Sequence, residues 1–451
     1  MDSVADATTT PKTGRLKIEY VPIDQLVPQP RNARKHPPEQ IRQLEASIRE
    51  FSFTNPILAD EDLQVLAGHA RLEAARRRGL STVPVVRLVH LTEVQKRAYA
   101  IADNKLGEAA TWNEELLKIE LEALQLEKFD IELTGFVGPE LDTVLYNEAG
   151  ASDPADEVPA PTVGPAVTRL GDLWRLGRHR LICGDSTLPE TYQALLGDRQ
   201  AQMIFNDPPY NVPIEGHVSG LGQHRHREFS MAAGEMSEEA FTAFLAKAMG
   251  LMAQHSAEGS LHMTCMDWRH LYELLTAGRG VFAELKNIVV WNKTNGGMGS
   301  LYRSKHELIT VWKHGQAPHI NNVQLGVYGR GRTNVWDYAG ANAFGADRDE
   351  TLAMHPTVKP IGLVADAILD CSHKGGLVCD NFAGVGTTLL AAEKTGRDGY
   401  AIELDPAYCD IALERYRKMT GDVPVLDATG ETREVVAAKR HSRKEHANDD
   451  R

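Results

Sequence analysis

The segment Asn206–Tyr210 reads Asn-Asp-Pro-Pro-Tyr, residue types that could bind and activate an aromatic amine. It follows a short apolar run, Met203–Phe205, that is typical of a buried strand. The two prolines end the strand and fix the path of the next peptides. One carboxylate, one proline carbonyl and one ring are then expected at the carboxyl edge of a sheet, where open α/β sheets bind ligands. A simple turn with Tyr210 packed into the core explains the segment equally well.

A second segment, Val378–Thr388, has the layout of a nucleoside-cofactor site. A short apolar run leads into a turn with Gly384 and Gly386, and a helix-like run follows. Glycines let a cofactor approach the backbone, and the helix N-terminus presents free N–H groups. About twenty residues later, Glu403 could bind ribose hydroxyls. Leu389 replaces the third glycine of the dinucleotide fingerprint, which favours a mononucleoside such as S-adenosylmethionine over NAD or FAD.

Residues 168–420 resemble an amino-methylating DNA methyltransferase of the β group, in which the Asp-Pro-Pro-Tyr motif precedes the Phe-x-Gly-x-Gly motif. A third family element, His355–Pro360, stands between them. The family usually has proline where Asn381 stands and serine where Val385 stands. The resemblance implies a Rossmann-like α/β domain, with a mostly parallel sheet and helices on both faces, that uses S-adenosyl-L-methionine. The cofactor residues it implies are Asp380, Phe382, Gly384, Gly386, Thr387, Glu403, His355, Thr357 and Lys359.

The predicted catalytic residues are Asp207, Pro208, Pro209 and Tyr210. Asp207 and the Pro208 carbonyl can each accept an N–H hydrogen bond, which aims the lone pair of the amine at the sulfonium methyl. In-line displacement then depends on positioning, and Asp207 can take the proton. The target base must leave the duplex, and Tyr210 can stack on it. The resemblance favours the N6 amine of adenine, and the N4 amine of cytosine stays open.

A net charge of −13 predicts repulsion from DNA rather than attraction. Residues 286–354, however, carry basic residues among aromatic ones and are expected to include the target-recognition region. Double-stranded DNA is therefore the expected partner. The histidine-rich stretch 215–231 is interpreted as a substrate-side loop, and no metal site is predicted. The predicted DNA-binding residues are Lys293, Arg303, Lys305, Arg330 and Arg332.

Residues 17–105 resemble the N-terminal domain of the chromosome-partitioning ParB family, an α+β domain. Gly68, His69 and Arg71 stand at that family's phosphate- and nucleotide-binding box, so a nucleotide is a candidate ligand. No clear helix-turn-helix is expected to follow, which argues against a partition function. A non-catalytic protein that binds DNA or a nucleotide through this domain is the alternative of another class. Such fusions are typical of phage and mobile-element proteins.

The 451 residues are expected to form two folded domains joined by a linker. The predicted order is a disordered segment 1–15, a ParB-like domain with a helical extension 16–147, a flexible linker 148–166, a methyltransferase domain 167–420, and a charged disordered tail 421–451. Neither a membrane span nor a signal peptide is expected. Five scattered cysteines indicate reduced thiols in a cytoplasm. The oligomeric state, monomer or homodimer, stays open.

Overall fold

In the computed structural model the chain forms two compact units, Met1–Leu145 and Tyr146–Arg451. The division lies close to residue 148, where the sequence predicts the start of a linker. Within the described ranges no helix combines the length and the apolar composition that a membrane span needs. The structure describes residues 15–146, 153–159, 165–212, 234–293, 296, 301–340 and 358–440.

The first unit is a small α+β fold built around a four-stranded sheet. Its elements are β1 Ile18–Pro22, α1 Pro38–Phe51, β2 Ile57–Ala59, β3 Val65–Ala67, α2 His69–Arg77, β4 Thr82–Arg87, α3 Glu93–Leu106, α4 Glu114–Leu126 and α5 Gly138–Tyr146. The strand order is β1-β4-β2-β3, in which only the pair β2 and β4 is parallel. Helix α1 packs through one apolar face, on which Ile41 and Ile48 are buried.

The second unit is an α/β fold with one large sheet. Its elements are β5 Leu173–Leu176, β6 His179–Cys183, α6 Pro189–Leu196, β7 Ala201–Asn206, α7 Glu238–Gln254, β8 Ser256–Met266, α8 Leu271–Val281, β9 Glu284–Asn292, β10 His306–Lys313, β11 Val335–Asp337, α9 Ile361–Cys371, β12 Leu377–Asp380, α10 Thr387–Lys394, β13 Asp398–Glu403, α11 Pro406–Thr420 and β14 Val425–Leu426. Strands β7 and β12 and helix α10 carry both motifs, and they agree with the apolar runs and the helix-like run that the sequence predicts there.

The sheet has the order β11-β9-β10-β8-β7-β12-β13-β6-β5-β14. Its centre, from β8 to β6, is parallel, and antiparallel strands flank it. The chain runs outward from β7 to β8 on one side, and from β12 to β13 on the other. The gap between β7 and β12 is thus the point where the strand order reverses, and ligands bind there in open α/β sheets. Both predicted motifs begin at the carboxyl ends of these two strands.

The predicted linker over 148–166 is not flexible throughout. Residues 153–159 pack against other parts of the second unit, and the Asp153 carboxylate lies 2.8 Å from the Lys394 ammonium nitrogen. Val158 is buried in an apolar cluster. The prediction was wrong here because it relied on the absence of helical or strand periodicity. A short irregular segment can pack against a fold without such a periodicity.

The predicted disorder of residues 421–451 is wrong for the part that the structure describes. Strand β14 pairs with β5, and Val436 lies in the main apolar core. Arg440 donates a hydrogen bond of 2.9 Å to Asp172. Lys439 and Arg440, basic residues of the tail that the structure describes, therefore form specific ion pairs. Residues 441–451 and 1–14 lie outside the described residues.

Candidate active site

Asn206, the last residue of β7, ties the two predicted motifs together. Its side-chain oxygen accepts a hydrogen bond of 2.9 Å from the backbone N–H of Asn381, which follows β12. The Asn381 side chain in turn donates to the Ala248 carbonyl at 3.1 Å. Both asparagines are buried. A proline at position 381 would lack the N–H donor, so the departure from the family pattern adds a bond between the two loops.

Both motifs line one cavity at the carboxyl ends of the central strands. It holds about 1310 Å³ of empty space that opens to solvent. The residues that line it include Asp207, Pro208, Pro209, Tyr210, Lys359, Asp380, Phe382, Gly384, Thr387 and Glu403. The structure thus brings together the predicted catalytic segment and most of the predicted cofactor residues.

Glycine is required at two positions of the loop between β12 and α10. Gly384 and Gly386 have φ angles of +50° and +81°, which side chains rarely adopt. A Cβ atom at Gly386 would also lie 2.7 Å from the Cβ of Ala412. The N–H of Gly384 donates to Glu403 at 2.7 Å, and Arg415 donates to the Val385 carbonyl at 2.9 Å. The loop is therefore held in place while its backbone borders the cavity.

The two predicted acids of the cofactor site are buried and engaged by the loop. Burial raises the pKa of Asp380 to about 7 and that of Glu403 to about 8. Asp380 accepts from the Thr388 hydroxyl at 2.6 Å, and Glu403 accepts from the Asp405 N–H at 2.7 Å. Carboxylates at the edge of a nucleoside pocket can accept ribose hydroxyls. These residues therefore fit S-adenosylmethionine, although part of their bonding capacity maintains the loop.

Further cavity residues were missed by the sequence reasoning. Asp185 and Ser186 follow β6, and Asp405 and Tyr408 lie at the start of α11. Phe244 of α7 lines the wall and packs against Phe382, with ring centroids 5.9 Å apart. A signal was present in the sequence at Asp185, because an acid directly after an apolar strand is the same pattern that singled out Asp207. Phe244 had no such signal.

Lys359 lies at the catalytic end of the cavity. Its ammonium nitrogen is 2.6 Å from Asp207 Oδ1 and 3.1 Å from the Tyr210 hydroxyl oxygen. The Tyr210 hydroxyl donates to Asp207 Oδ1 at 2.9 Å. Burial raises the pKa of Asp207, and the charge of Lys359 opposes that rise. The resemblance placed Lys359 among the cofactor residues, whereas its contacts here connect it to the carboxylate that is predicted to bind the amine.

Two predicted DNA contacts are instead internal. A guanidinium nitrogen of Arg330 lies 2.8 Å from a carboxylate oxygen of Asp370, and one of Arg332 lies 2.8 Å from a carboxylate oxygen of Asp366. Both aspartates are on α9. Arg330 is buried, and the Arg332 side chain is only 16% exposed. The prediction that these two arginines bind DNA is therefore at odds with the structure. It failed because a run of basic residues in a sequence does not show which of them have acidic partners elsewhere.

The other predicted DNA contacts differ in their surroundings. Lys293 pairs with Glu307 and is partly buried. Arg303 and Lys305 are exposed, and Tyr302 beside them is 83% exposed. His355 and Thr357, as well as the stretch 215–231, lie outside the described residues.

The predicted phosphate site lies in the first unit at the start of α2. Gly68 has a φ of +99°, and His69 Nε2 accepts from the Gln29 N–H at 3.2 Å. Arg71 donates to the Pro56 carbonyl at 3.3 Å, while its Nε is buried without a hydrogen-bond partner among the described residues. Burial lowers the pKa of His69. The three residues thus lie together, and Arg71 has a donor that an anion could use.

Family models match three successive parts of the chain. The N-terminal domain of ParB matches residues 7–105, the helix-turn-helix domain of ParB-methyltransferases matches residues 115–170, and a DNA methylase model matches residues 201–414. The second match corrects the expectation that no helix-turn-helix follows the ParB-like domain. That expectation failed because residues 127–137 separate α4 from α5, whereas a helix-turn-helix is recognised in a sequence by a turn of about three or four residues.

Several known proteins are similar to parts of the chain. Type II methyltransferase M2.MboI of Moraxella bovis is 27% identical over 51% of this chain and 84% of its own. The ParB-like nuclease domain-containing protein YnaK of Escherichia coli is 46% identical over 18% of this chain and 95% of its own. Among solved structures, the cytosine-N4-specific PvuII DNA methyltransferase aligns with a TM-score of 0.40 at 16% identity, covering 61% of this chain and 94% of that one.

The sequence motifs, the cavity and the family matches all indicate the same kind of protein. The cavity joins the Asp-Pro-Pro-Tyr segment to the glycine loop, and the methylase model spans both. The ParB model covers the four-stranded sheet of the first unit. The chain belongs to the N6/N4 DNA methylase family, carries a ParB-like N-terminal domain, and is an S-adenosylmethionine-dependent DNA methyltransferase.

Proposed function

We propose that the chain methylates the exocyclic N6 amine of adenine in double-stranded DNA. The observation that carries the proposal is that Asp207, Pro208 and Tyr210 line the same cavity as the glycine loop. An amine acceptor and a nucleoside site in one cavity allow direct transfer between two bound ligands. The Asp-Pro-Pro-Tyr sequence supports adenine, the usual target of that motif in the family that the chain resembles.

In the proposed mechanism the protein mainly positions the target amine and removes its proton. S-adenosylmethionine, when bound, supplies an electrophilic methyl group. Asp207 and the Pro208 carbonyl accept the two N–H hydrogen bonds of the amine, and Tyr210 stacks on the flipped base. As the new N–C bond forms, the amine nitrogen becomes positively charged, and Asp207 removes its proton. The raised pKa of Asp207 suits it to this step, since a more basic carboxylate accepts a proton more readily.

The cofactor would be held by residues on the β12 and β13 side of the cavity. We infer that the backbone around Gly384 and Gly386 borders its methionine part, and that Glu403 and Asp405 accept its ribose hydroxyls. Asp380, Phe382 and Thr387 complete that wall.

The exposed residues Tyr302, Arg303 and Lys305 are the proposed DNA contacts. They precede β10 within residues 286–354, where we place target recognition. Exposed arginine and lysine side chains can pair with phosphates, and an exposed tyrosine can stack on a base.

One experiment tests the function directly. Purified protein is incubated with DNA and cofactor that carries a labelled methyl group, and the DNA is digested to nucleosides for mass analysis. We expect label in N6-methyladenine. Label in N4-methylcytosine would retain the enzyme class and overturn the base assignment, and no transfer to any DNA tested would overturn the proposal.

We also propose that the first unit binds a nucleotide or phosphate at Gly68, His69 and Arg71. The buried, unpartnered Arg71 Nε supports this. Titration with nucleoside triphosphates should show binding that Arg71→Ala abolishes, while Arg78→Ala, a substitution just past the end of α2, leaves it intact. Equal binding by both variants would contradict the assignment.

A further inference from the structure

A second carboxylate, Glu307 of β10, lies behind Asp207. Glu307 is only 7% exposed, and its Oε2 lies 3.1 Å from the Lys359 ammonium nitrogen. The same oxygen accepts a hydrogen bond of 3.0 Å from the Tyr210 hydroxyl. Its other oxygen pairs with Lys293. Glu307 does not line the cavity, so any effect on the reaction must act through the residues that it contacts.

Lys359 and Tyr210 are shared between the two carboxylates. Lys359 lies against both Asp207 and Glu307. The single hydroxyl hydrogen of Tyr210 can be donated to only one carboxylate at a time, although its oxygen lies within 3.0 Å of both. Both contacts to Asp207 are made on Oδ1. Oδ2 has no hydrogen-bond or ionic partner among the described residues, which leaves this oxygen for the amine.

The charges of this cluster balance. Asp207 and Glu307 are negative, and Lys293 and Lys359 are positive. The ring centroid of Trp291 lies 4.6 Å from the Lys293 ammonium nitrogen and 5.7 Å from that of Lys359, and the ring covers both. Removing one member of a buried ion pair leaves an uncompensated charge, which is costly. A change at Glu307 should therefore alter how strongly Lys359 binds Asp207.

We propose that Glu307 is a positioning residue for methyl transfer. Through Lys359 and Tyr210 it holds Asp207 by one oxygen, so that the other oxygen faces no internal competitor for the amine. It also draws part of the Lys359 charge away from Asp207, which keeps Asp207 basic enough to take the proton. This inference rests on the proposed transfer to an amine at Asp207, and it holds for adenine and cytosine alike.

The proton balance assigns different roles to the two carboxylates. The nitrogen lone pair forms the bond to the methyl carbon, and the sulfur–carbon bond breaks with its electron pair left on sulfur. The N–H proton then passes to Asp207, while Lys359 and Tyr210 keep their protons. Burial alone would raise the pKa of Glu307, yet Lys359 and Lys293 lower it to about 2. Glu307 is thus the weaker base of the two and remains ionised throughout.

Loss of the Glu307 charge should lower the pKa of Asp207. Charged and titratable groups face Asp207 from every neighbouring element, namely Lys359, Glu307, Tyr210, Asp380 of β12 and Cys265 of β8. Glu307 raises the pKa of Asp207 and Lys359 lowers it. Without the Glu307 charge, nothing from that residue offsets the effect by which Lys359 lowers the pKa of Asp207. The Asp207 carboxylate then ionises at lower pH and accepts a proton less readily.

The test uses the full chain with the substitution Glu307→Gln, which keeps the shape and removes the charge. Single-turnover methyl transfer is measured from pH 5 to 9. We expect the plateau rate to fall roughly 10- to 100-fold, as for a misplaced reacting group, and the acid limb to shift to lower pH. The affinity for S-adenosylmethionine should be unchanged. The matched control is Glu284→Gln, which removes an exposed carboxylate paired with Lys286 on the neighbouring strand β9, and it should behave as the parent.

A second variant separates charge from shape. Glu307→Gln with Lys293→Met restores the charge balance, so it should regain part of the rate that Glu307→Gln loses. No regain, or a loss of cofactor affinity equal to the loss of rate, would indicate a merely structural role and overturn the inference. An unchanged rate and pH profile in Glu307→Gln would overturn it as well.

A readout that does not need turnover keeps this inference distinct from the proposed function. The carboxyl signal of Asp207 can be followed by NMR in protein labelled at aspartate, with Asp207→Asn to assign it. Its pKa should be lower in Glu307→Gln than in the parent, even if no methylated base is detected. An unchanged pKa would refute the positioning role, whereas an inactive parent with the expected pKa change would refute only the function.

Discussion

Asp207 is the residue on which the proposed chemistry depends most directly. It follows β7 at the point where the strand order reverses, and it is partly exposed to the cavity, with 25% of its side chain accessible. Its Oδ1 is held by Lys359 and Tyr210. The cofactor wall, formed mainly by the loop after β12, does not depend on the Asp207 side chain. Methyl transfer and cofactor binding should therefore be separable by substitution.

We expect Asp207→Ala to lower methyl transfer by roughly 10²- to 10⁴-fold, the usual contribution of a proton acceptor. Cofactor affinity, measured by calorimetric titration, should stay near the parent value because no cofactor contact is assigned to Asp207. Asp198→Ala, at an exposed position, is the control and should be fully active. Normal methylation by Asp207→Ala would disprove the mechanism.

Gly386→Ala should weaken cofactor binding. The new Cβ would lie 2.7 Å from that of Ala412, and the φ of +81° would add about 1–2 kcal/mol of strain. The loop must shift, so we expect a loss of at least about tenfold in affinity, or 1.4 kcal/mol. Gly375→Ala shares the strain, with a φ of +70°, but its Cβ meets nothing within 4 Å. Thermal melts should show both variants destabilised, and titration should show weaker binding only for Gly386→Ala.

Among the secondary-structure elements, α9 carries two buried carboxylates whose partners its own sequence does not show. Asp366 and Asp370 lie one turn apart on this otherwise apolar helix, and both are largely buried. Buried carboxylates need partners, and Arg330 and Arg332 supply them. The segment that follows β10 is thereby attached to the helix after Lys359. These arginines hold the helix that begins two residues after Lys359, instead of contacting DNA.

Arg330→Ala should therefore reduce stability without a specific effect on DNA. Breaking a buried ion pair costs about 3–5 kcal/mol, which denaturant unfolding would detect. For the folded fraction, the salt dependence of DNA binding should match that of the parent.

For the exposed Arg303 we expect the opposite of Arg330, an effect on DNA binding and little effect on stability. Arg303→Ala should leave the free energy of unfolding nearly unchanged and weaken binding to all DNA sequences, with the salt slope reduced by about 1. If Arg330→Ala rather than Arg303→Ala reduced the slope, the original DNA assignment of Arg330 would be restored.

At the scale of the whole molecule, the balance of charge is unfavourable for DNA. The chain has a net charge of −13, and several basic residues of the predicted DNA surface are paired internally. Long-range attraction to DNA is therefore weak, and binding must rely on local contacts. The buried carboxylates of the cavity also link stability to pH.

Glu403 should make the ligand-free protein less stable as pH rises. Its pKa is 4.5 in the unfolded chain and is raised by burial to about 8 in the fold. Its stabilising contribution is therefore fully present below about pH 4.5 and is lost as pH rises through 8. Denaturant unfolding at pH 5 and pH 8 should show Glu403→Gln gaining stability relative to the parent at the higher pH. An identical pH dependence in both proteins would contradict the raised pKa.

The sequence by itself determined the two motifs, the strands and helix that carry them, and the cofactor class, because these depend on local residue order. Apolar runs, prolines and glycines act within a few residues of one another. The irregular segment 153–159 and the internal role of Arg330 and Arg332 could not be predicted in this way, since they depend on partners that are distant in the chain.

Only the tertiary structure decided how the catalytic end is supported. Tyr210 contacts Glu307 from 97 residues away and Lys359 from 149 residues away. No local pattern marks Glu307, which in the sequence is one acid among basic neighbours. Its burial between two lysines follows from the pairing of β10 with β8 and β9. Long-range strand pairing places these charges together, and that pairing is not encoded in any short segment.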